Sequence, residues 1–290
     1  MFALIVIGSV VRTTGSGLAC PDWPLCEGRV VPRFEFHVLI EWFHRLVALA
    51  VSLLLFATAA WVIAHRPLRA RLGRLLSIAL VLLFAQVMLG ALTVWKLLSP
   101  AVVSSHLAVA LLLFSTLLAM TLIARGEAEP AATPPPARPA GLLAAFATAT
   151  VLTYVQILLG GLVSTHHAGL ACPDWPTCFG RWFPPMEGPV GLQMMHRYGA
   201  YVLLAALLNA AARGRRAPDP RIAAGGTMAL TLVVTQVVLG VLNVLLGTPV
   251  WLSAAHLATA AALLAMLVTT TYRVAALPAG AVKLTPAEAR

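Results

Sequence analysis

The chain has 290 residues, of which 60% are hydrophobic and only 10% charged; its mean hydropathy is +0.90 and its formal charge +10. A soluble domain carries about 25% charged residues, so this composition excludes an ordinary water-soluble core and points to the membrane. The positive charge does not mark a nucleic-acid-binding protein, because the arginines sit in short loops between apolar runs, as membrane topology requires.

Apolar runs fall at about 1–14, 39–64, 74–97, 101–124, 141–164, 191–212, 222–246 and 251–273. A span needs roughly 20 apolar residues, and seven of the eight runs qualify. The first is short, while its counterpart starts near Gly141, so an upstream start codon is expected. No cleavable signal peptide is expected after the first run.

In chain order, the loop after the first run holds Cys20 and Cys26, with Pro21, Asp22, Trp23 and Pro24 between them. The second run opens with Glu41, His44 and Arg45. Arg66, Arg69, Arg71 and Arg74 follow it, and His106 opens the fourth run. A Pro-rich stretch, Pro130–Pro139, reads as a linker between halves. The fifth run ends at His166 and His167, before a second loop with Cys172, Asp174, Trp175 and Cys178. His196 and Arg197 open the sixth run, Arg213, Arg215, Arg216 and Arg221 follow it, and His256 opens the eighth. The arginine-rich loops should be cytoplasmic and the cysteine loops external.

The halves repeat. GLACPDWPLC at Gly17–Cys26 returns as GLACPDWPTC at Gly169–Cys178, and QVMLG at Gln86–Gly90 returns as QVVLG at Gln236–Gly240. His44 and His196 differ by 196 − 44 = 152, and His106 and His256 by 256 − 106 = 150. The expected fold is all-α and integral to the membrane. Eight transmembrane helices form two tandem four-helix bundles, related by a pseudo-two-fold axis along the membrane normal. The expected boundaries are an N-terminal half at 1–125, a cytoplasmic linker at 126–140, a C-terminal half at 141–274 and a cytoplasmic tail at 275–290.

An ionisable residue inside a span is costly and marks a functional site. Facing helices of a bundle are a place to build a cofactor site, and two neutral imidazoles across a cavity are the ligand set of a six-coordinate heme. A zinc site would want more ligands, with Cys or carboxylate nearby. Histidines that only bond between helices would explain one such residue better than four in matched pairs. His37, His65, His166 and His167 read as loop or interface residues. Arg45 and Arg197 are placed to pair with a heme propionate or to snorkel to the headgroups, and Arg12 to meet an anionic group.

Glu41 lies three residues before His44, on nearly the same helix face; the matching residue of the second half is Gln193. A carboxylate there can accept protons or stabilise positive charge; the alternative is an interface salt bridge to Arg45. The asymmetry assigns the reactive site to the first half and an electron-transferring cofactor to the second. The cysteine pairs read as structural disulfides in an oxidising compartment, with redox traffic through the dithiol as the other reading. Asp22, Trp23, Asp174 and Trp175 shape and anchor the turns.

The stretch TGSGLACPDWPLC at Thr14–Cys26, the E-x-x-H-R at Glu41–Arg45 and the histidines heading spans four, six and eight resemble heme A synthase, from Gly8 to about the eighth span. The resemblance implies oxidation of the C8 methyl of heme O to a formyl group, by successive hydroxylations and loss of water, giving heme A for terminal oxidases. It implies that His196 and His256 ligate heme b, that His44 and His106 frame the substrate heme, and that Glu41 is the catalytic carboxylate. Cys20 and Cys26 would be the pair associated with activity, and Cys172 and Cys178 their structural echo. Implied partners are heme O synthase, a terminal oxidase or its assembly factors, membrane lipid and an unidentified electron acceptor, in a bacterial cytoplasmic membrane. The competing readings are a diheme b-type electron carrier, with no need for Glu41, and a transporter, which would want a polar midplane site.

Overall fold

The computed structural model describes residues 1–126 and 137–279. The expected linker and tail lie largely outside those residues. Among the described residues eight α-helices run in order: α1 (Phe2–Thr13), α2 (Phe36–Ala64), α3 (Arg66–Trp95), α4 (Pro100–Ala124), α5 (Leu142–Thr165), α6 (Gly188–Gly214), α7 (Pro220–Leu245) and α8 (Val250–Ala276). Among the described residues, extended pairing is limited to isolated bridges such as Cys26–Arg29 and Cys178–Arg181.

Local chemistry explains the boundaries. Proline stands in the first turn of α3, α4, α6 and α7, where its missing N–H has no intrahelical partner to lose. Pro67 also keeps His65–Arg66 from continuing α2, so α2 and α3 meet with only His65 between them. Asp219 caps α7, its carboxylate accepting the Arg221 N–H at 2.9 Å.

Among the described residues six helices (α2, α3, α4, α5, α7 and α8) are long and apolar enough to cross a membrane. This is one fewer than the sequence runs promised. The missing one is α6, which has 27 residues but carries Gln193, His196, Arg197 and Asn209. Its polarity belongs to the site it builds. Helix α1 has 12 residues against 24 in α5.

In the second half α5, α6, α7 and α8 pack in a closed ring, each touching the next. The first half repeats the order, with the halves joined through α1 against α8, α4 against α5, and α4 against α8. The first two contacts are exchanged by a two-fold operation and the third maps onto itself. An apolar cluster spans this seam, with Ile5, Leu111, Ile157 and Leu264 all buried. Arg12 donates to the carbonyl of Ser164, its own repeat mate at 164 − 12 = 152.

The two apolar cores occupy the same end of each bundle. One gathers Leu55, Leu76 and Leu113; the other Phe146, Leu207, Ile222 and Leu267. Both lie away from the cysteine loops. Large side chains such as Leu53, Leu54, Val81, Phe84, Val151 and Val234 are exposed on the outside, as expected where lipid replaces water. Lipid supplies little hydrophobic drive for helix association, so close packing of small residues matters more. A Cβ on Gly226 would lie 3.1 Å from the Cα of Ala211, so α7 and α6 touch backbone to backbone there.

Gly226→Leu should therefore force α6 and α7 apart. The expected loss is about 1–3 kcal/mol, the usual cost of overpacking, read as a lower melting temperature in detergent. A variant melting like the wild type would show that this approach is not a packing constraint.

Candidate functional site

The four histidines sit at matching depths. His44 and His196 are each the ninth residue of their helices, and His106 and His256 each the seventh. All four helices start at the cysteine-loop end, so the imidazoles form one layer above the apolar cores. Helices α6 and α8 are diagonal in their ring, so His196 and His256 face each other across the bundle axis. Their ring centroids lie 6.4 Å apart, with planes at 75°. With metal–imidazole bonds of about 2 Å and ring radii of about 1 Å, two rings on opposite sides of one metal stand about 6 Å apart. In the first half His106 lies within electrostatic range of His44.

Each ring needs room on the neighbouring helix. A Cβ would stand 3.2 Å from His44 Cε1 at Gly8, 3.3 Å from His106 Cε1 at Gly90, and 3.0 Å from His196 and His256 Cε1 at Gly160 and Gly240. Four glycines on α1, α3, α5 and α7 thus admit four imidazole edges. A glutamine precedes three of them by one turn: Gln86, Gln156 and Gln236; the fourth position is Leu4. The Gln156 amide lies 3.0 Å from His196 Nδ1, and the Gln86 amide 3.2 Å from His106 Nε2. The ring Nδ1 atoms of His44, His106 and His256 are buried without a protein partner. An unsatisfied buried nitrogen costs about 1–3 kcal/mol, and that cost is repeated at three of the four histidines. Among the described residues no three His, Cys, Asp or Glu side chains cluster as a metal cage. Paired axial imidazoles fit a heme rather than a bare ion.

Sequence reading missed the glycine windows. Their signal was present as the repeated QVMLG and QVVLG, but nothing in a string says which helix faces which.

The disulfides Cys20–Cys26 and Cys172–Cys178 are formed, and all four cysteines are 0–1% exposed. Burial shields the sulfurs from thiol exchange, which needs access. Each loop is tied down by the arginine that follows the first histidine. Arg45 donates to Asp22 O, Leu25 O and Cys20 O; Arg197 donates to Asp174 O, Thr177 O and Cys172 O. Most donors of these two arginines, expected to meet either a propionate or the headgroups, are thus directed at loop carbonyls. Asp22 accepts the N–H groups of Glu27 and Gly28, and Asp174 those of Phe179 and Gly180. Glu27 and Phe179 have positive φ (55° and 51°), a conformation these carboxylate bonds hold in place.

The layer is asymmetric at Glu41. Its Oε2 accepts the Cys20 N–H at 2.9 Å, and its Oε1 accepts from Arg45 Nη2 at 2.6 Å. In the second half Gln193 donates to Gly169 O at 3.3 Å. Glu41 therefore ties the histidine layer to the disulfide loop through a charged, buried group. His37 bonds Ser16 Oγ at 2.9 Å, which bonds Thr14 Oγ1 at 2.7 Å; the matching residues Pro189, Ala168 and His166 make no such chain. His65 stacks on Trp61 at the far end of α2, and His166 and His167 turn the chain after α5. Trp23 packs edge-on against Trp95, while Trp175 is partly exposed.

A family profile described as cytochrome oxidase assembly protein matches residues 1–38 and 32–268. Among curated proteins, the heme A synthase of Symbiobacterium thermophilum is 33% identical over 83% of this chain and 81% of its own length. The heme A synthase of Geobacillus kaustophilus is 29% identical over 88% and 82%. That of Shewanella oneidensis is 30% identical over 94% and 93%.

Two outcomes follow from this geometry. Gly160→Ala or Gly240→Ala should displace its histidine and lower pigment retention by about 10–100-fold, measured as bound pigment per purified protein; unchanged retention would remove the glycine windows from the site. Asp174 is held below the ordinary carboxylate range by the Thr177 hydroxyl and by the Gly180 and Phe179 N–H groups. A depressed folded-state pKa stabilises above the unfolded value, about 3.9, and the benefit is lost as pH falls through the folded value. Amide protection at Phe179 and Gly180 should therefore persist at pH 4 and vanish on stronger acidification, with Asp174→Asn removing that dependence.

Proposed function

The chain belongs to the cytochrome oxidase assembly protein family, and from that premise we propose that it is a heme A synthase, an oxidoreductase that converts the C8 methyl of heme O to a formyl group. The observation that carries the residue assignment is the break in a duplicated site: four histidines and four glycines repeat, but the place of Glu41 is taken by Gln193 in the second half. In this reading the first half, 1–125, takes the substrate heme between His44 and His106. The second half, 141–274, holds heme b between His196 and His256. Heme b, when bound, supplies one-electron transfer. With water supplying the formyl oxygen, the methyl-to-formyl oxidation releases four protons and four electrons, and an acceptor outside this chain takes the electrons.

The chain's own residues position and polarise. The four glycines let the imidazoles stand at the bundle axis. Arg45 and Arg197 close the disulfide loops over the two mouths; with Arg45 also donating to Glu41, the donors left for a propionate are the Nε–H of each arginine and one Nη2 hydrogen of Arg197. Glu41 holds negative charge next to the substrate layer, where it stabilises developing positive charge or takes a proton. Its bonds to the Cys20 N–H and Arg45 fix the carboxylate in place. Substrate would come from a heme O synthase, and product would pass to terminal oxidase or its assembly factors. The arginines at 66–74 and 213–221 support a cytoplasmic placement of that end in a bacterial membrane. The disulfides support an external placement of the other.

Pigment extraction tests the proposal. Protein purified with co-expressed heme O synthase should contain heme b together with heme O and heme A. Glu41→Ala should reduce conversion by about 100-fold or more while the heme b spectrum of the second half stays intact. Loss of that spectrum would make Glu41 structural. Heme b alone in both sites, whatever is supplied, would favour the diheme carrier.

A further inference from the structure

An apolar groove of about 410 Å³ runs along the seam of α1 and α2 in the first half. Ile7 and Val10 line one wall; Phe36, Leu39, Ile40 and Phe43 line the other. Ile7 and Val10 bracket Gly8, whose missing side chain admits the edge of His44. Leu39, Ile40 and Phe43 interleave with Glu41 and His44 along α2. The groove is therefore the outward side of the seam whose inward side is the candidate substrate site. Its size falls within the roughly 300–1,000 Å³ of small-molecule sites, but its lining offers no partner for a polar headgroup.

The second half is built differently at the same place. Gly188 and Gly191 stand where the first half has Phe36 and Leu39. A Cβ on Gly191 would lie 2.6 Å from the carbonyl carbon of Met186, so the preceding loop lies directly on α6. Met194, the counterpart of groove-lining Trp42, is 1% exposed. Met194 packs with the Cys172–Cys178 disulfide, and the large apolar walls that Phe36 and Leu39 give the first half have only glycine counterparts at Gly188 and Gly191. This difference lies within one turn of the Glu41/Gln193 break.

We infer that this groove seats the isoprenoid side chain of the substrate heme, and so selects a prenylated heme over heme b in the first half. The inference rests on the proposed function, in which the two halves hold hemes that differ in that side chain. A long hydrocarbon on the rim of a flat ring needs an apolar channel leading away from the iron ligands, and a seam beside His44 supplies one. Lipid would dissolve the chain nearly as well, so the groove's contribution is largely one of register. With the chain seated off-centre, one peripheral methyl is turned toward Glu41.

The test uses the holoprotein with its resident heme b, titrated separately with heme O and with heme b and followed by visible absorption. The wild type should prefer heme O in the first half. Val10→Trp and Leu39→Trp fill the groove from opposite walls and should weaken heme O binding about tenfold or more, while heme b binding changes less than about twofold. Phe43→Ala, at a half-exposed position that threatens the fold least, should lower the same preference. The resident heme b spectrum reports folding in each case. A preference for heme O that survives in all correctly folded variants, or equal binding of both hemes by the wild type, would overturn the inference and leave the groove to membrane lipid. Either result leaves conversion of heme O by the wild type untouched, whereas absence of that conversion would sink the proposed function itself.

Discussion

Two imidazoles can meet across a four-helix bundle only if the helix beside each ring has no side chain at that level. Gly8, Gly90, Gly160 and Gly240 meet this steric condition, each within 3.0–3.3 Å of a histidine Cε1 for the Cβ it lacks. Much else is arranged around it. The apolar cores withdraw to the opposite end, leaving the histidine layer free of large aliphatic filling. The stability that this layer gives up is recovered below it and along the seam between the halves, where Ile5, Leu111, Ile157 and Leu264 pack together.

A layer of half-buried polar groups near a membrane surface also needs a cover. The disulfide loops provide it, and they are fixed by charge-assisted bonds rather than by apolar packing. A guanidinium presents several donors in one plane, so Arg45 and Arg197 can each bind three loop carbonyls at once. The same sequence unit thus serves both ends of the problem: the histidine faces the axis and the next residue holds the lid.

Against this shared frame the differences between halves are few and cluster together. Glu41 replaces an amide with a charge, Leu4 stands where the other three glycines are preceded by glutamine, and Leu39 stands where Gly191 lets the loop close down. All three lie on α1 or α2. The duplicated architecture repeats the histidine and glycine positions in both halves, while the changes on one helix pair make the halves chemically unequal.

The sequence by itself determined the class of protein, the duplication, the histidine pairs and the Glu41/Gln193 break. These are properties of composition and spacing: an apolar run must span, and two copies of a motif must have equivalent environments. It also marked α6 as a long helix, although Gln193, His196, Arg197 and Asn209 weaken its hydropathy relative to the six most apolar helices. Only the tertiary structure decided that the repeated glycines face the histidines, that Arg45 and Arg197 grip the loops, and that a groove opens beside His44. Those facts depend on which helix is whose neighbour and on backbone approaches of about 3 Å. A linear pattern carries the period of a helix but not the identity of the helix it leans against.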